Sequence, residues 1–82
     1  MTLDYMDYEI LAVLSENYGL KTGDVISSLH KPSSRKTSAL MYRRLYSLAA
    51  GGYVREMDND RPIVWMRTGR GSDALKAAGK LR

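Results

Sequence analysis

The sequence contains no cysteine and a single histidine, His30, among its 82 residues. Without cysteine the chain can form no disulfide, no thiolate metal site and no cysteine nucleophile. One histidine alone supplies neither a metal site nor a catalytic triad. We therefore predict that the protein holds no metal and no other cofactor.

Long apolar segments are missing as well. No apolar run approaches the roughly 20 residues that a helix needs to span a bilayer. The first seven residues carry acidic rather than basic side chains, so we expect no secretory signal there. Together with the lack of cysteine, these features predict a cytoplasmic protein that makes no membrane contact.

The sequence patterns that are typical of enzymes are also absent. No glycine-rich phosphate loop follows a strand, and no nucleophile has a base nearby. Asp58 and Asp60 lie two residues apart, but in a predicted loop such residues usually form turns. We predict that the protein is not an enzyme.

What the chain does have is the composition of an ordinary globular domain. Its residues are 44% hydrophobic and 27% charged, proportions that are typical of folded proteins. At this length a single core is expected. We therefore predict one domain over residues 1–82.

Charge is distributed unevenly along the chain, although the net charge is only +4. Residues 1–30 contain one base and five acids, whereas residues 31–82 contain twelve bases and four acids. No acid occurs from Lys31 to Arg55. Such a segment is typical of a surface that binds a polyanion such as nucleic acid, and the alternative is a solvated helix face.

Apolar periodicity predicts three helices in the first 50 residues. The first spans 4–17, and the second spans 23–30 with Thr22 as its N-cap. The third, over 35–50, begins after Ser33 or Ser34 and ends at two glycines. Its predicted buried stripe consists of Met41, Leu45 and Leu48.

Two β-prone runs follow, at 53–57 and 63–67, and the loop 58–62 between them predicts a hairpin. Thr68 is the predicted N-cap of a last helix that continues through Lys80. The expected fold class is therefore α+β, with a three-helix core, a two-stranded β-hairpin wing and a short C-terminal helix.

This order of elements resembles the winged helix-turn-helix fold. Residues 44–56 are similar to the junction of recognition helix and wing in MarR- and PadR-like regulators, where two leucines three positions apart precede a glycine and a hydrophobic pair. Residues 58–71 are similar to the wing of those families. The resemblance covers about residues 6–76. It implies a transcriptional regulator, such as a repressor, that binds double-stranded DNA sequence-specifically through helix 35–50 in the major groove and wing 53–67 on the adjacent groove or backbone.

Under this resemblance, cations are expected at guanine edges or phosphates, and hydroxyl groups near the helix start at phosphates. A small side chain is expected against a thymine methyl group, tyrosine hydroxyls at phosphates, and the wing tip in the minor groove. The predicted DNA-binding residues are Ser33, Ser34, Arg35, Lys36, Thr37, Ala39, Tyr42, Arg43, Tyr46, Asn59, Arg61 and Arg67.

Three other interpretations remain open for the aromatic residues of this region. Tyr46 and Trp65 resemble the tyrosine and wing tryptophan of Z-alpha domains, which bind left-handed nucleic acid, although Tyr42 stands where that family has asparagine. A surface of Tyr42, Tyr53 and Trp65 would instead suit a protein partner. Simple packing of Trp65 against Tyr46 is a third interpretation.

Quaternary structure and ion pairing can also be predicted. A single module of this kind covers one half-site, so we expect a homodimer on a palindromic site. The candidate dimer surfaces are the first helix and the last helix around Leu75, Ala77 and Leu81. Arg44 lies nearer the buried stripe than Arg43 and is predicted to pair with an acid of the first helix.

Overall fold

The computed structural model describes residues 2–31, 34–58 and 63–79. Its elements, in chain order, are α1 (Tyr5–Val13), β1 (Leu20–Lys21), α2 (Thr22–Ser28), α3 (Arg35–Ala50), β2 (Val54–Asp58), β3 (Ile63–Arg67) and α4 (Gly69–Ala77). The predicted α+β class is confirmed, with four helices and a three-stranded antiparallel sheet. None of the helices in the described ranges has the length and apolar character needed to cross a membrane.

Helix α1 is shorter than the predicted span 4–17. Asp4 is its N-cap rather than a helical residue, and the backbone N–H groups of Asp4 and Asp7 donate to each other's carboxylates in a capping box. At the other end Leu14 has extended backbone, and the Ser15 carbonyl accepts a hydrogen bond from the backbone N–H of Arg67. The chain therefore leaves the helix at Leu14 and pairs with the end of β3.

The predicted two-stranded sheet is wrong, because β1 adds a third strand. Leu20 pairs with Trp65 and Lys21 with Val64, which gives the strand order β1-β3-β2. The chain approaches β3 so closely that a Cβ placed on Gly19 would lie 2.7 Å from Cγ2 of Val64. A two-residue strand is too short to show the alternating apolar pattern that reveals strands in a sequence.

The prediction that Thr22 caps α2 is also wrong. Thr22 is the first helical residue, and Lys21 occupies the N-cap position without a side-chain hydrogen bond to the helix. The Thr22 hydroxyl instead accepts a hydrogen bond from the indole Nε1 of Trp65 at 2.9 Å. Both side chains are buried, so the hydroxyl satisfies an indole donor that would otherwise have no partner in the core.

The core lies where the four helices and the inner face of the sheet meet. Helix α3 contributes its predicted stripe of Met41, Leu45 and Leu48, all buried, which confirms that prediction. The other buried apolar side chains are Ile10, Leu11, Leu14, Val25, Ile26, Val54, Trp65 and Leu75. Burial of this stripe fixes which side of α3 faces solvent.

The connection after α3 is held by backbone and side-chain contacts. Gly52 adopts a φ of +82°, which favours glycine and lets the chain turn into β2. Arg70 donates from Nε to the carbonyl of Gly51 at 2.8 Å, and so satisfies a free carbonyl at the end of α3. Thr68 caps α4 as predicted, by accepting from the N–H of Gly71, but α4 ends at Ala77 and not at Lys80, which lies outside the described residues.

Candidate nucleic-acid interface

The side of α3 opposite the core carries half of the predicted DNA-binding residues. Successive residues are about 100° apart around a helix, so positions that differ by three, four or seven share a side. We use the term outward face for the exposed residues of this side that were predicted to bind DNA, which are Arg35, Lys36, Ala39, Tyr42, Arg43 and Tyr46. The outward face contains three cations and no carboxylate.

The N-terminus of α3 is capped by a local side chain. Ser34 accepts a hydrogen bond from the backbone N–H of Thr37 at 3.1 Å, which confirms Ser34 as the cap. The Ser34 hydroxyl also donates to Oγ1 of Thr37 at 3.0 Å. Phosphate binding by Ser34 and Thr37 stays a prediction, and Ser33 lies outside the described residues.

The two tyrosines of the outward face belong to an aromatic cluster that extends into the core. The rings of Tyr42 and Tyr46 stack with centroids 6.4 Å apart, and the rings of Tyr46 and Trp65 make an edge-to-face contact with centroids 5.0 Å apart. Trp65 is fully buried, so its interpretation as a packing residue is confirmed. The hydrogen bond to Thr22 fixes the orientation of the indole, and the ring of Tyr46 packs against that indole.

Adjacent arginines of α3 have different surroundings. Nη1 of Arg44 lies 2.9 Å from Oδ1 of Asp4 and 3.2 Å from Oδ1 of Asp7, which confirms the predicted pairing with the first helix. Arg43 is exposed on the outward face, and within the described residues the ion pairs are those of Arg44 alone. Arg43 is therefore directed to solvent, as are Arg35 and Lys36.

These contacts affect protonation at the start of α1. The backbone N–H of Asp7, followed by the guanidinium of Arg44, holds the pKa of the Asp4 carboxyl below its ordinary value. The hydrogen bond to Asp4 raises the pKa of Arg44 above its ordinary value. The charged forms are thus favoured, and Arg44 remains a cation that fastens α3 to α1.

Arg67 does not join the outward face, because its guanidinium is engaged elsewhere in the fold. The Arg67 guanidinium donates to Oγ of Ser72 at 2.8 Å and to the carbonyl of Leu11 at 2.9 Å. The Ser72 hydroxyl in turn donates to the carboxylate of Glu16. Arg67 thus joins β3 to α1 and α4. Asn59 and Arg61 lie outside the described residues.

One exposed residue beside the outward face, Leu40, is not among the predicted DNA-binding residues. Leu40 is 52% exposed, and it lines a shallow groove of about 260 Å³ between α1 and α3. Leu40 directly precedes Met41, so it lies about 100° around the helix from that buried residue. This spacing was the signal in the sequence that could have identified Leu40 as exposed. Across the three described ranges, no cluster of three histidine, aspartate or glutamate side chains is arranged to hold a metal ion.

Comparisons of the chain with models of protein families, with curated proteins and with solved structures find no significant match. The function is therefore argued from the geometry and charge of the residues themselves.

Proposed function

We propose that the protein is a winged-helix protein that binds double-stranded DNA sequence-specifically through the outward face of α3. The observation that supports this most strongly is the combination, on one side of a 16-residue helix, of three exposed cations, two stacked tyrosines and no carboxylate. A polyanion is the ligand that such a surface attracts. The hairpin of β2 and β3 directly after α3 is the element that would serve as the wing.

The dimensions of α3 suit the major groove. Sixteen residues give a helix about 24 Å long, and a groove about 12 Å wide admits an α-helix. Arg35, Lys36 and Arg43 then face base edges or phosphates. A bidentate arginine–guanine contact contributes about 1–3 kcal/mol of discrimination, whereas a phosphate contact mainly adds affinity and salt dependence.

The proposal includes the biological setting expected from the sequence. The protein would act in the cytoplasm as a transcriptional regulator, for example a repressor, with no catalytic activity and no cofactor. It would bind as a homodimer, because two copies match the two halves of a palindromic site. Leu75 is fully buried and is therefore removed from the candidate dimer surface. Ala77 and the exposed Tyr5 of α1 remain, and Leu81 lies outside the described residues.

Competing functions receive less support from the geometry. Trp65 is fully buried and its indole N–H is donated to Thr22, so it has no donor left for Z-form nucleic acid. Tyr53 is half-buried under the guanidinium of Arg70, whose Cζ lies 4.6 Å from the ring centroid. Tyr53 and Trp65 therefore do not form one exposed surface with Tyr42 for a protein partner.

The test is duplex binding measured by fluorescence anisotropy over a range of salt concentrations. The parent should lose affinity steeply with salt, with a slope of about −0.9 in log–log form per phosphate neutralised. Lys36→Ala and Arg43→Ala should each weaken binding, and where the lost contact is to a phosphate the slope should become shallower by about one. No salt-dependent binding by the parent would contradict the proposal.

Lys76→Ala is the matched control for these variants. Lys76 is an exposed cation of α4, a helix that packs on α1 and β3. Lys76→Ala removes one positive charge from a different part of the surface, so the salt slope should stay close to that of the parent. An equal effect of all three variants would mean that net charge, and not the outward face, governs binding.

A further inference from the structure

Leu40 is the exception among the leucines of α3. Its side chain is 52% exposed, whereas Leu45 and Leu48 are fully buried. Leaving half of a large apolar side chain in water forgoes part of the stabilisation that its full burial would contribute. The buried stripe of α3 is complete without Leu40, because its neighbour Met41 occupies the buried position.

The neighbours of Leu40 on the helix surface are cations. Lys36 lies four residues before it and Arg43 three residues after it, so both are adjacent to Leu40 on the surface of the helix. Ala39, beside it on the outward face, has too small a side chain to hold the helix away from a ligand. Along the helix axis Leu40 lies between Lys36 and Arg43, at the edge of the outward face nearest α1, so a duplex that contacts both cations passes close to its exposed part.

We propose that Leu40 contacts the C5 methyl group of a thymine, and so makes the protein prefer duplexes with thymine between the contacts of Lys36 and Arg43. The thymine methyl is the apolar group that base pairs display in the major groove. This inference rests on the proposed DNA binding. It adds Leu40 to the proposed DNA contacts, a residue whose apolar side chain makes no favourable contact with phosphates and responds to the thymine methyl group.

The experiment removes that methyl group alone. Duplexes recovered by selection from a random pool are resynthesised with deoxyuridine in place of single thymines, and affinities are measured for the parent and for Leu40→Ala. Loss of one buried methyl corresponds to about a fourfold weaker affinity. The parent should therefore show about a fourfold ratio between the two duplexes at one thymine, and Leu40→Ala should bring that ratio close to one.

Two further variants separate the contact from general effects. Leu40→Met keeps an apolar side chain of similar size and should retain the ratio. Lys36→Ala should weaken binding to the thymine and deoxyuridine duplexes by the same factor, because its contact does not involve the methyl group. Circular dichroism of Leu40→Ala should show that the domain stays folded.

The outcomes distinguish this inference from the function on which it rests. A parent that binds duplex DNA with steep salt dependence, but shows no preference for thymine over deoxyuridine, would overturn the contact and leave the proposed function standing. The same holds if Leu40→Ala keeps the full preference. A parent that binds no duplex, even at low salt, would overturn both.

Discussion

The two sides of α3 differ in what their side chains contact. The inward side places Leu45 in the core and ties Arg44 to Asp4 and Asp7 of α1. The outward face presents cations and stacked tyrosines to solvent, among them Arg43, the immediate neighbour of Arg44. One residue of displacement along a helix, about 100° of rotation, thus separates a structural arginine from a candidate DNA contact.

This difference also explains the uneven charge of the chain. The acids at the start of α1 serve the fold, because the carboxylates of Asp4 and Asp7 form the capping box and hold Arg44. The bases of the outward face have no comparable structural role. Net charge alone would not have distinguished these two groups of residues.

The largest expected effect contrasts two leucines of α3. Leu45→Ala removes a fully buried side chain and should lower the free energy of unfolding by about 2–5 kcal/mol, enough to unfold much of a domain this small. Leu40→Ala should change it by about 0.5 kcal/mol or less, since half of that side chain is already in water. Urea denaturation followed by circular dichroism measures both, and equal losses would contradict the division of α3 into two sides.

A smaller effect is expected from the adjacent arginines. Arg44→Ala leaves the buried carboxylate of Asp7 without its cation and should cost about 1 kcal/mol of stability. Arg43→Ala should leave stability within about 0.5 kcal/mol of the parent but weaken DNA binding. Urea denaturation measures the stability of both variants, and anisotropy titrations measure their DNA binding. The predicted difference between the two arginines is contradicted if Arg43→Ala destabilises the fold as much as Arg44→Ala does.

The sequence predicts α3 well because all of its signals are local. Its bounds at 35–50, the Ser34 cap and the two-glycine end agree with the structure, and so does the Thr68 cap of α4. The buried stripe and its spacing also define the outward face without any tertiary information. Most of the candidate site could therefore be identified from sequence.

What escaped prediction depends on residues that are distant in sequence. Strand β1 exists through its pairing with β3, some 45 residues later, and Thr22 faces Trp65 for the same reason. The contact of Arg67 with the carbonyl of Leu11 in α1 likewise joins residues 56 positions apart, and DNA binding by Arg67 stays a prediction. Periodicity and capping rules do not contain such contacts.

The most direct test of the central claim maps the DNA-binding surface by NMR. Titration of the ¹⁵N-labelled protein with a duplex should shift the amide signals of α3 from Ser34 to Tyr46 most, together with those of the wing strands β2 and β3. Amides of α4 around Lys76 should move little. Shifts concentrated on α1 and α4, with α3 unchanged while the duplex is bound, would contradict the assignment of DNA binding to the outward face.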